Sequence, residues 1–291
     1  MRILVPPIKC QGIKTKLVQW IVEQVSLGGS ERWIEPFMGS GVVGFNLRPR
    51  KAIFGDINPH IVNFYNALKT GKITTANART FLEREGALLE RQGEMRYYAV
   101  RDRFNRSSDP LDFLFLNRAS FNGVIRFNRQ GQFNVPFGHK PQRFSKAYTT
   151  KIVNQIKYVS TAMRHHDWEF ICSDFRDVIR GAKNTDFIYC DPPYAGRHTD
   201  YFNSWSDGDE QDLYELLSKT RAKFILSTWH SNRHRTNPAV EKYHNGFRVL
   251  TREHFYHVGA SEENRNPMLE AIVMNYTPAE TERSQLVLLE R

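Results

Sequence analysis

Arg32-Trp33-Ile34-Glu35-Pro36-Phe37-Met38-Gly39-Ser40-Gly41-Val42-Val43-Gly44-Phe45-Asn46 reads as a strand, a glycine turn and a helix in unbroken succession. Arg32 to Glu35 is the strand; Gly39 and Gly41 let the backbone turn sharply and approach a ligand, and Val42, Val43 and Phe45 open a buried helix. A second strand, Ala52-Ile53-Phe54-Gly55, ends at Asp56, where a carboxylate is well placed to accept both hydroxyls of a ribose. This is the beginning of an α/β sheet with a ligand loop at its carboxyl edge. Gly39, Gly41 and Gly44 also satisfy the GxGxxG spacing, so a nicotinamide-dependent oxidoreductase is the serious rival reading. Glu35 argues against it, because a carboxylate just ahead of the glycines suits a cationic ligand better than a pyrophosphate.

A later buried strand, Phe187-Ile188-Tyr189-Cys190, runs into Asp191-Pro192-Pro193-Tyr194, again at the strand end where open α/β sheets place their chemistry. The tetrapeptide suits a planar amino group. An exocyclic base amine delocalises its lone pair into the ring, and acceptors that take its hydrogens draw the nitrogen towards tetrahedral geometry. The Asp191 carboxylate and the Pro192 carbonyl can each take one hydrogen, while the two prolines fix φ and remove two N–H donors, giving a stiff frame. Tyr194 offers a ring on which an unstacked base can lie. An ordinary Asp-Pro turn is the plain structural alternative.

The chain has 291 residues, 40% of them hydrophobic, enough for one large or two small domains with a substantial core. Its 41 Lys and Arg against 31 Asp and Glu leave +10, a surplus that points to a polyanionic partner, nucleic acid first. Cys10, Cys172 and Cys190 lack CxxC spacing, so they are expected to be reduced core thiols of a cytosolic protein. The N-terminal apolar run is too short for a signal peptide and no stretch reaches membrane-span length, which leads us to expect a cytoplasmic protein without membrane contact. The ten His residues show no HExxH-like spacing, and no metal is expected.

Periodicity places a first helix over Lys14 to Gln24. From Pro59 to about Tyr148 the parallel-strand rhythm stops. Thr74 to Arg91 and Glu94 to Phe104 read as amphipathic helices over a small core of Phe81, Leu82, Leu88 and Leu89, with their arginines on a solvated face. Leu116 to Gly138 then interleaves Arg118, Asn122, Arg126, Asn128, Arg129, Gln132 and Asn134 with Phe121, Phe127, Phe133 and Phe137, the residue types of base-edge readout and stacking. Asn128 to Gln132 looks like the turn of a hairpin between two strands, able to enter a groove; a plain surface hairpin is the alternative. Phe224 to Ser227 and Leu269 to Tyr276 read as late strands.

Taken together, EPFMGSG, LNRxxFNGxxRFN, FNVPFG and DPPY closely resemble the Dam-type (D12 class, alpha-group) adenine-specific DNA methyltransferases, over Lys9 to Tyr276. The resemblance implies an α/β, Rossmann-like S-adenosylmethionine-dependent methyltransferase fold with a mixed, mostly parallel sheet. Residues 1–58 and 149–291 would form the catalytic domain, and 59–148 an inserted, mainly helical target-recognition domain carrying a β-hairpin. It implies S-adenosyl-L-methionine as donor, S-adenosyl-L-homocysteine as product, and double-stranded DNA as partner. Lys9, Gly12 and Lys14 match the family's N-terminal KWAGGK, with Lys14 a partner for the cofactor's carboxylate. Glu35, Pro36, Phe37, Gly39, Ser40 and Gly41 take the cofactor-loop positions, and Asp56 resembles the ribose ligand. Asp174 resembles the acid that meets the cofactor's adenine amine, with Phe175 beside the ring. Asp191, Pro192, Pro193 and Tyr194 fall on the catalytic motif, Asp191 also on the cofactor side. Arg126 and Pro136 match base-reading positions, Phe121 stands where an aromatic inserts into the duplex, and Asn122 follows it. Arg118, Asn128, Arg129, Gln132 and Asn134 complete the expected DNA-binding set. Tyr201, Phe202 and Trp205 lie in a polar stretch long enough to be a lid.

The expected reaction is direct methyl transfer to N6 of an adenine flipped out of duplex DNA, with no covalent enzyme intermediate. An RNA or protein amino-group methyltransferase would not need the hairpin. A non-catalytic DNA-binding module on the same fold would not need Asp56 and Asp191. The sequence leaves the oligomeric state open, with a monomer favoured.

Overall fold

The structure is a computed structural model and describes residues 2–28, 31–194, 205–231, 233, 235–243, 246–255 and 267–278. Seven strands, β1 (Arg32–Glu35), β2 (Lys51–Asp56), β3 (Asp167–Cys172), β4 (Phe187–Cys190), β5 (Lys223–Ser231), β6 (Arg248–Phe255) and β7 (Pro267–Met274), form one sheet in the order β3-β2-β1-β4-β5-β7-β6. β1 to β5 are mutually parallel and β7 is antiparallel to both neighbours. This is the mixed, mostly parallel sheet of a Rossmann-like methyltransferase fold. The sequence order reverses between β1 and β4, so their carboxyl ends border the crevice where such sheets bind ligands. β4 is buried at all four positions, as a central parallel strand with both faces covered must be. Trp33 of β1 stacks on Phe187 and Tyr189 of β4 at 5.4 and 5.7 Å, tying the two strands together.

The first helix, α1 (Val18–Glu23), starts later than periodicity suggested. The Leu17 and Val18 N–H groups both donate to the Lys14 carbonyl, so a turn precedes the helix and Lys14 projects into the site described below. α2 (Val42–Leu47) follows the glycine turn and seats Phe45 against Phe54, Tyr65 and Trp168. Gly44 permits that close approach: a Cβ there would fall 2.5 Å from Phe54 and 2.8 Å from the Glu35 carboxylate. Gly44→Ala is therefore expected to destabilise the chain by about 1–3 kcal/mol through overpacking. Urea unfolding checks this, and an unchanged midpoint would contradict it.

α3 (Pro59–Lys69), capped by Asn58, lies on β2 and β3. The insertion continues with α4 (Thr75–Gln92), α5 (Glu94–Ser107) and α6 (Pro110–Ala119), and α7 (Lys146–His165) brings the chain back to β3. α4 begins in a Thr74–Asn77 capping box and carries Leu82, Gly86 and Leu89 on its buried stripe. Glu85 falls on that stripe too, without exposure. Its neighbours correct the solvated-face expectation, because Arg84, Arg96 and Arg103 fold onto its carboxylate at 3.0, 2.6 and 3.3 Å. Arg103 also grips buried Asp112. Burial alone would raise the Glu85 pKa, but the guanidiniums outweigh it and lower it.

The expected hairpin is a turn without regular strands. The Asn128 N–H donates to Gln132 O at 2.9 Å and the Asn134 N–H to Arg126 O at 3.2 Å, but the pairing is limited to the isolated bridges Ser120–Phe137 and Phe127–Phe133. Helical side chains replace the ladder. Asn105 bonds both the N–H and the carbonyl of Phe133, Tyr97 donates to the Val135 carbonyl, and His60 stacks on Phe127 at 4.7 Å. α8 (Phe175–Arg180), α9 (Asp207–Lys219) and α10 (Pro238–Tyr243) are the remaining described α-helices. Of the three thiols expected in the core, Cys190 is buried, Cys10 partly so, and Cys172 is exposed at the end of β3. None of the described helices is long and apolar enough to cross a membrane.

Candidate active site

Three structural elements converge at the carboxyl ends of β1, β2 and β4. In the first, the glycine loop, Gly39 and Gly41 take φ of 48° and 70°, the left-handed region that favours glycine. The Gly39 N–H donates to Asp56 Oδ2 at 2.8 Å, while Asp56 Oδ1 accepts from the Asn58 N–H at 2.8 Å. Asp56 thus shapes the loop, and burial raises its pKa to about 6 against those two hydrogen bonds. Ser40 is buried, its carbonyl accepting from the Tyr65 hydroxyl at 2.7 Å. Beneath the loop, Glu35 Oε1 accepts from the Trp33 indole at 2.9 Å and the Gly44 N–H at 2.7 Å. Burial pushes this carboxyl up to about 8.

The second element is aromatic. Phe37 of the loop stacks on Phe175 at 5.1 Å, and Trp205 closes on both at 5.6 and 5.3 Å. Trp205 is held by a bond from its indole to Glu210 at 2.9 Å, while Tyr201 and Phe202 lie outside the described residues. Asp174 caps α8 by accepting from the Arg176 N–H, and Arg176 reaches on to Asp209 and Asp212 of α9. Sequence patterning missed Arg176, whose three carboxylate partners meet only in the fold.

The third element is the Asp191–Tyr194 motif. Lys14 Nζ sits 2.8 Å from Asp191 Oδ1 and 4.7 Å from the centre of the Tyr194 ring. Lys14 is 4% exposed and the Asp191 side chain 21%, so a buried ammonium meets a half-buried carboxylate. The position expected to meet a cofactor carboxylate lies against the Asp191 carboxylate. Burial raises the Asp191 pKa and Lys14 opposes the rise. Pro192 is buried, Pro193 partly so, and the buried Tyr194 donates its hydroxyl to Glu270 Oε2 at 2.8 Å. Glu270 was absent from the sequence expectations, although a lone acid in the apolar run Leu269-Glu270-Ala271-Ile272-Val273 was a readable signal.

The N-terminal segment ties these elements to the insertion. The Lys9 N–H and carbonyl bond the Asn117 side chain, and Gly12 turns with φ of 70° to offer its carbonyl to Lys14. Lys9 titrates near 8, lowered first by burial and then by Arg118, Arg143, Lys151 and Lys140. Arg118 departs from its expected DNA-facing place: it is buried and donates to the Pro7 carbonyl and Gln155. The outer face of the 120–137 loop carries exposed Phe121, Asn122, Arg129, Gln132 and Pro136, with Asn128 and Asn134 half-buried among them. Arg126 donates from Nε to Asn134 Oδ1 at 2.9 Å, and Asn128 ties the turn through Gln130 and Gln132.

Residues 11–258 match the family described as D12 class N6 adenine-specific DNA methyltransferase. A DNA adenine methylase of Serratia marcescens is 34% identical over 235 residues, covering 76% of this chain and 82% of that protein. A DNA adenine methylase of Vibrio cholerae is 32% identical over 240 residues, covering 78% and 82%. The type II methyltransferase M.MjaIII of Methanocaldococcus jannaschii is 30% identical over 249 residues, covering 76% and 83%. With a family match spanning the glycine loop, the insertion and the Asp191–Tyr194 motif, this chain belongs to the D12 class N6 adenine-specific DNA methyltransferases.

Proposed function

We propose that the chain transfers the methyl group of S-adenosylmethionine to N6 of an adenine extruded from duplex DNA. The observation that carries this reading is the seat of the Lys14 ammonium, a nitrogen donor held 2.8 Å from Asp191 and 4.7 Å from the Tyr194 ring. A site that grips N–H donors beside an aromatic ring suits a flipped base amine. The residues fit the donor as well: Gly39 and Gly41 hold the loop in left-handed backbone at the strand end, and Asp56 is fastened to it through the Gly39 N–H. Asp56 would take the ribose, Asp174 with Phe37 and Phe175 the adenine end, and Glu35, its carboxyl pushed up to about 8 by burial, would brace the loop through the Gly44 N–H rather than charge the site. Lys9, Gly12 and Lys14 would line the methionine end, with Pro36 and Ser40 shaping the loop.

When bound, S-adenosylmethionine supplies a methyl group activated on a sulfonium. Asp191 and the Pro192 carbonyl accept the amine hydrogens and stabilise positive charge growing on the nitrogen, Pro193 keeps the turn stiff, and Tyr194 bears the base. Asp191 would take up the proton that the amine gives up on receiving the methyl group. Residues 1–58 and 149–291 form the catalytic part in this reading, and 59–148 the recognition part. Its DNA-facing set is Phe121, Asn122, Arg126, Asn128, Arg129, Gln132, Asn134 and Pro136, with Arg118 holding the N-terminal segment instead.

Arg126→Ala is expected to relax sequence discrimination, costing about 1–3 kcal/mol at the position it reads. Rates on duplexes with single base changes check this; an unaltered preference would refute the assignment. Mapping methylated adenines in DNA from cells expressing the chain tests the whole reading. A single short motif methylated at adenine is the expected result, and unmethylated DNA would overturn it.

A further inference from the structure

Tyr194 differs from the buried Tyr65 and Tyr97 in what its hydroxyl bonds. Those two, like the half-buried Tyr158 and Tyr276, donate to backbone carbonyls, of Ser40, Val135, Phe45 and Gln24 in turn. A carbonyl is all that a buried hydroxyl requires. Tyr194 donates instead to the carboxylate of Glu270, which has no solvent exposure. Burying an acid where a carbonyl would serve is costly, so packing alone does not account for it.

The position of Glu270 is informative. It pairs with Trp229 of β5 and Arg252 of β6, and the order β4-β5-β7 places it two strands from the Asp191–Tyr194 motif. The hydroxyl bond therefore fixes the far end of Tyr194 to a rigid strand that the turn itself never touches in sequence. Near the centre of the ring lies the Lys14 ammonium, and Lys14 holds Asp191. Tyr194 links two carboxylates, the buried Glu270 directly and the half-buried Asp191 through Lys14.

Resting on the reading of this motif as the methyl-acceptor site, we propose that Glu270 is a positioning residue of the transfer step, holding the Tyr194 ring in place and electron-rich beside the reacting amine. A hydroxyl shared with a carboxylate enriches its ring in π-electron density, which strengthens attraction for positive charge. Positive charge grows on the amine only as the methyl arrives. The contribution of Glu270 is therefore to kcat more than to DNA affinity. Its charge also reaches Asp191, adding to burial in raising that carboxyl. The other charged and titratable groups around the pair are Lys14 and Lys16 from the N-terminal turn, Glu35 of β1, Tyr189 and Cys190 of β4, and Arg252 and His254 of β6.

Steady-state methylation with Glu270→Gln and Tyr194→Phe across pH tests this. Glu270→Gln keeps an acceptor for the hydroxyl but removes the charge, so kcat should fall about tenfold while the KM for DNA stays within about twofold. Its acid limb should move to lower pH, because Asp191 ionises more readily without the neighbouring negative charge. Tyr194→Phe keeps ring and charge but loses the bond, so kcat should fall with the acid limb in place. Wild-type kcat and pH profile in Glu270→Gln, or wild-type kcat in Tyr194→Phe, would overturn the inference. Should Glu270→Gln not fold, as judged by its thermal melt, Tyr194→Phe decides alone. An unaltered chain that methylates no DNA would overturn the reading of the site and this inference with it; an active chain insensitive to both changes would overturn only the inference.

Discussion

Asp191→Ala is expected to reduce methyl transfer by about a thousandfold while leaving duplex binding within about twofold, the scale set by loss of a preorganised group in a water-poor site. Asp191 Oδ1 has no contact with solvent, and the prolines on either side of the next peptide bond hold the turn, so its orientation exists before substrate arrives. The residues proposed to face DNA lie on the 120–137 loop, a separate element, which is why affinity should survive. Alanine also leaves the Lys14 ammonium without its carboxylate, and Asp191→Asn serves as the variant that keeps the shape. It should still lose most activity because a neutral amide is a weaker acceptor. Activity of the unaltered protein should fall as pH drops, since an uncharged carboxyl cannot take the amine hydrogens. Burial raises the Asp191 pKa and Lys14 opposes it, so the loss begins above the ordinary aspartate range. Label transfer and gel-shift titration on the same preparations check both parts. Full turnover by Asp191→Ala would rule out its assigned role.

Arg103→Ala should have the largest effect on stability, about 3 kcal/mol. Arg103 bridges Glu85 of α4 and Asp112 of α6, which are 0% and 2% exposed, so alanine leaves Asp112 without its guanidinium in a buried place. The cost lies at the low end for a broken buried pair because Arg84 and Arg96 remain on Glu85, and the Arg103 side chain is 37% exposed. The insertion should loosen first, and the outer face of the 120–137 loop, carried by Asn105 and Tyr97 of α5, should lose order with it. Denaturant unfolding and amide exchange in α4 to α6 measure this. A wild-type midpoint would show that the network contributes nothing.

What was legible in the sequence was local. The strand from Arg32 to Glu35 and the strand from Phe187 to Cys190 have the bounds their apolar, β-branched and aromatic composition suggested, because each is buried on both faces and ends at a turn residue. The glycine loop was readable because glycine takes those φ values at no steric cost. Partnerships across the fold were not. Lys14 and Asp191 are separated by most of the chain, Glu85 draws its arginines from two helices, and Tyr194 finds Glu270 two strands away. Arg118 was misplaced because its residue type outweighed its neighbours: α6 is buried from Phe113 to Ala119, which left that guanidinium facing Pro7 and Gln155. The turn at Asn128 was correct while its flanking strands were not, because Asn105 and Tyr97 satisfy backbone groups that a ladder would otherwise pair.

The central claim is that an adenine amine in DNA receives the methyl group. Purified protein incubated with duplex DNA and S-adenosylmethionine carrying a tritiated methyl group, followed by digestion to nucleosides and chromatography, tests it most directly. The account predicts label in N6-methyldeoxyadenosine alone. Label in a cytosine derivative, or transfer only when RNA or protein replaces the DNA, would contradict it.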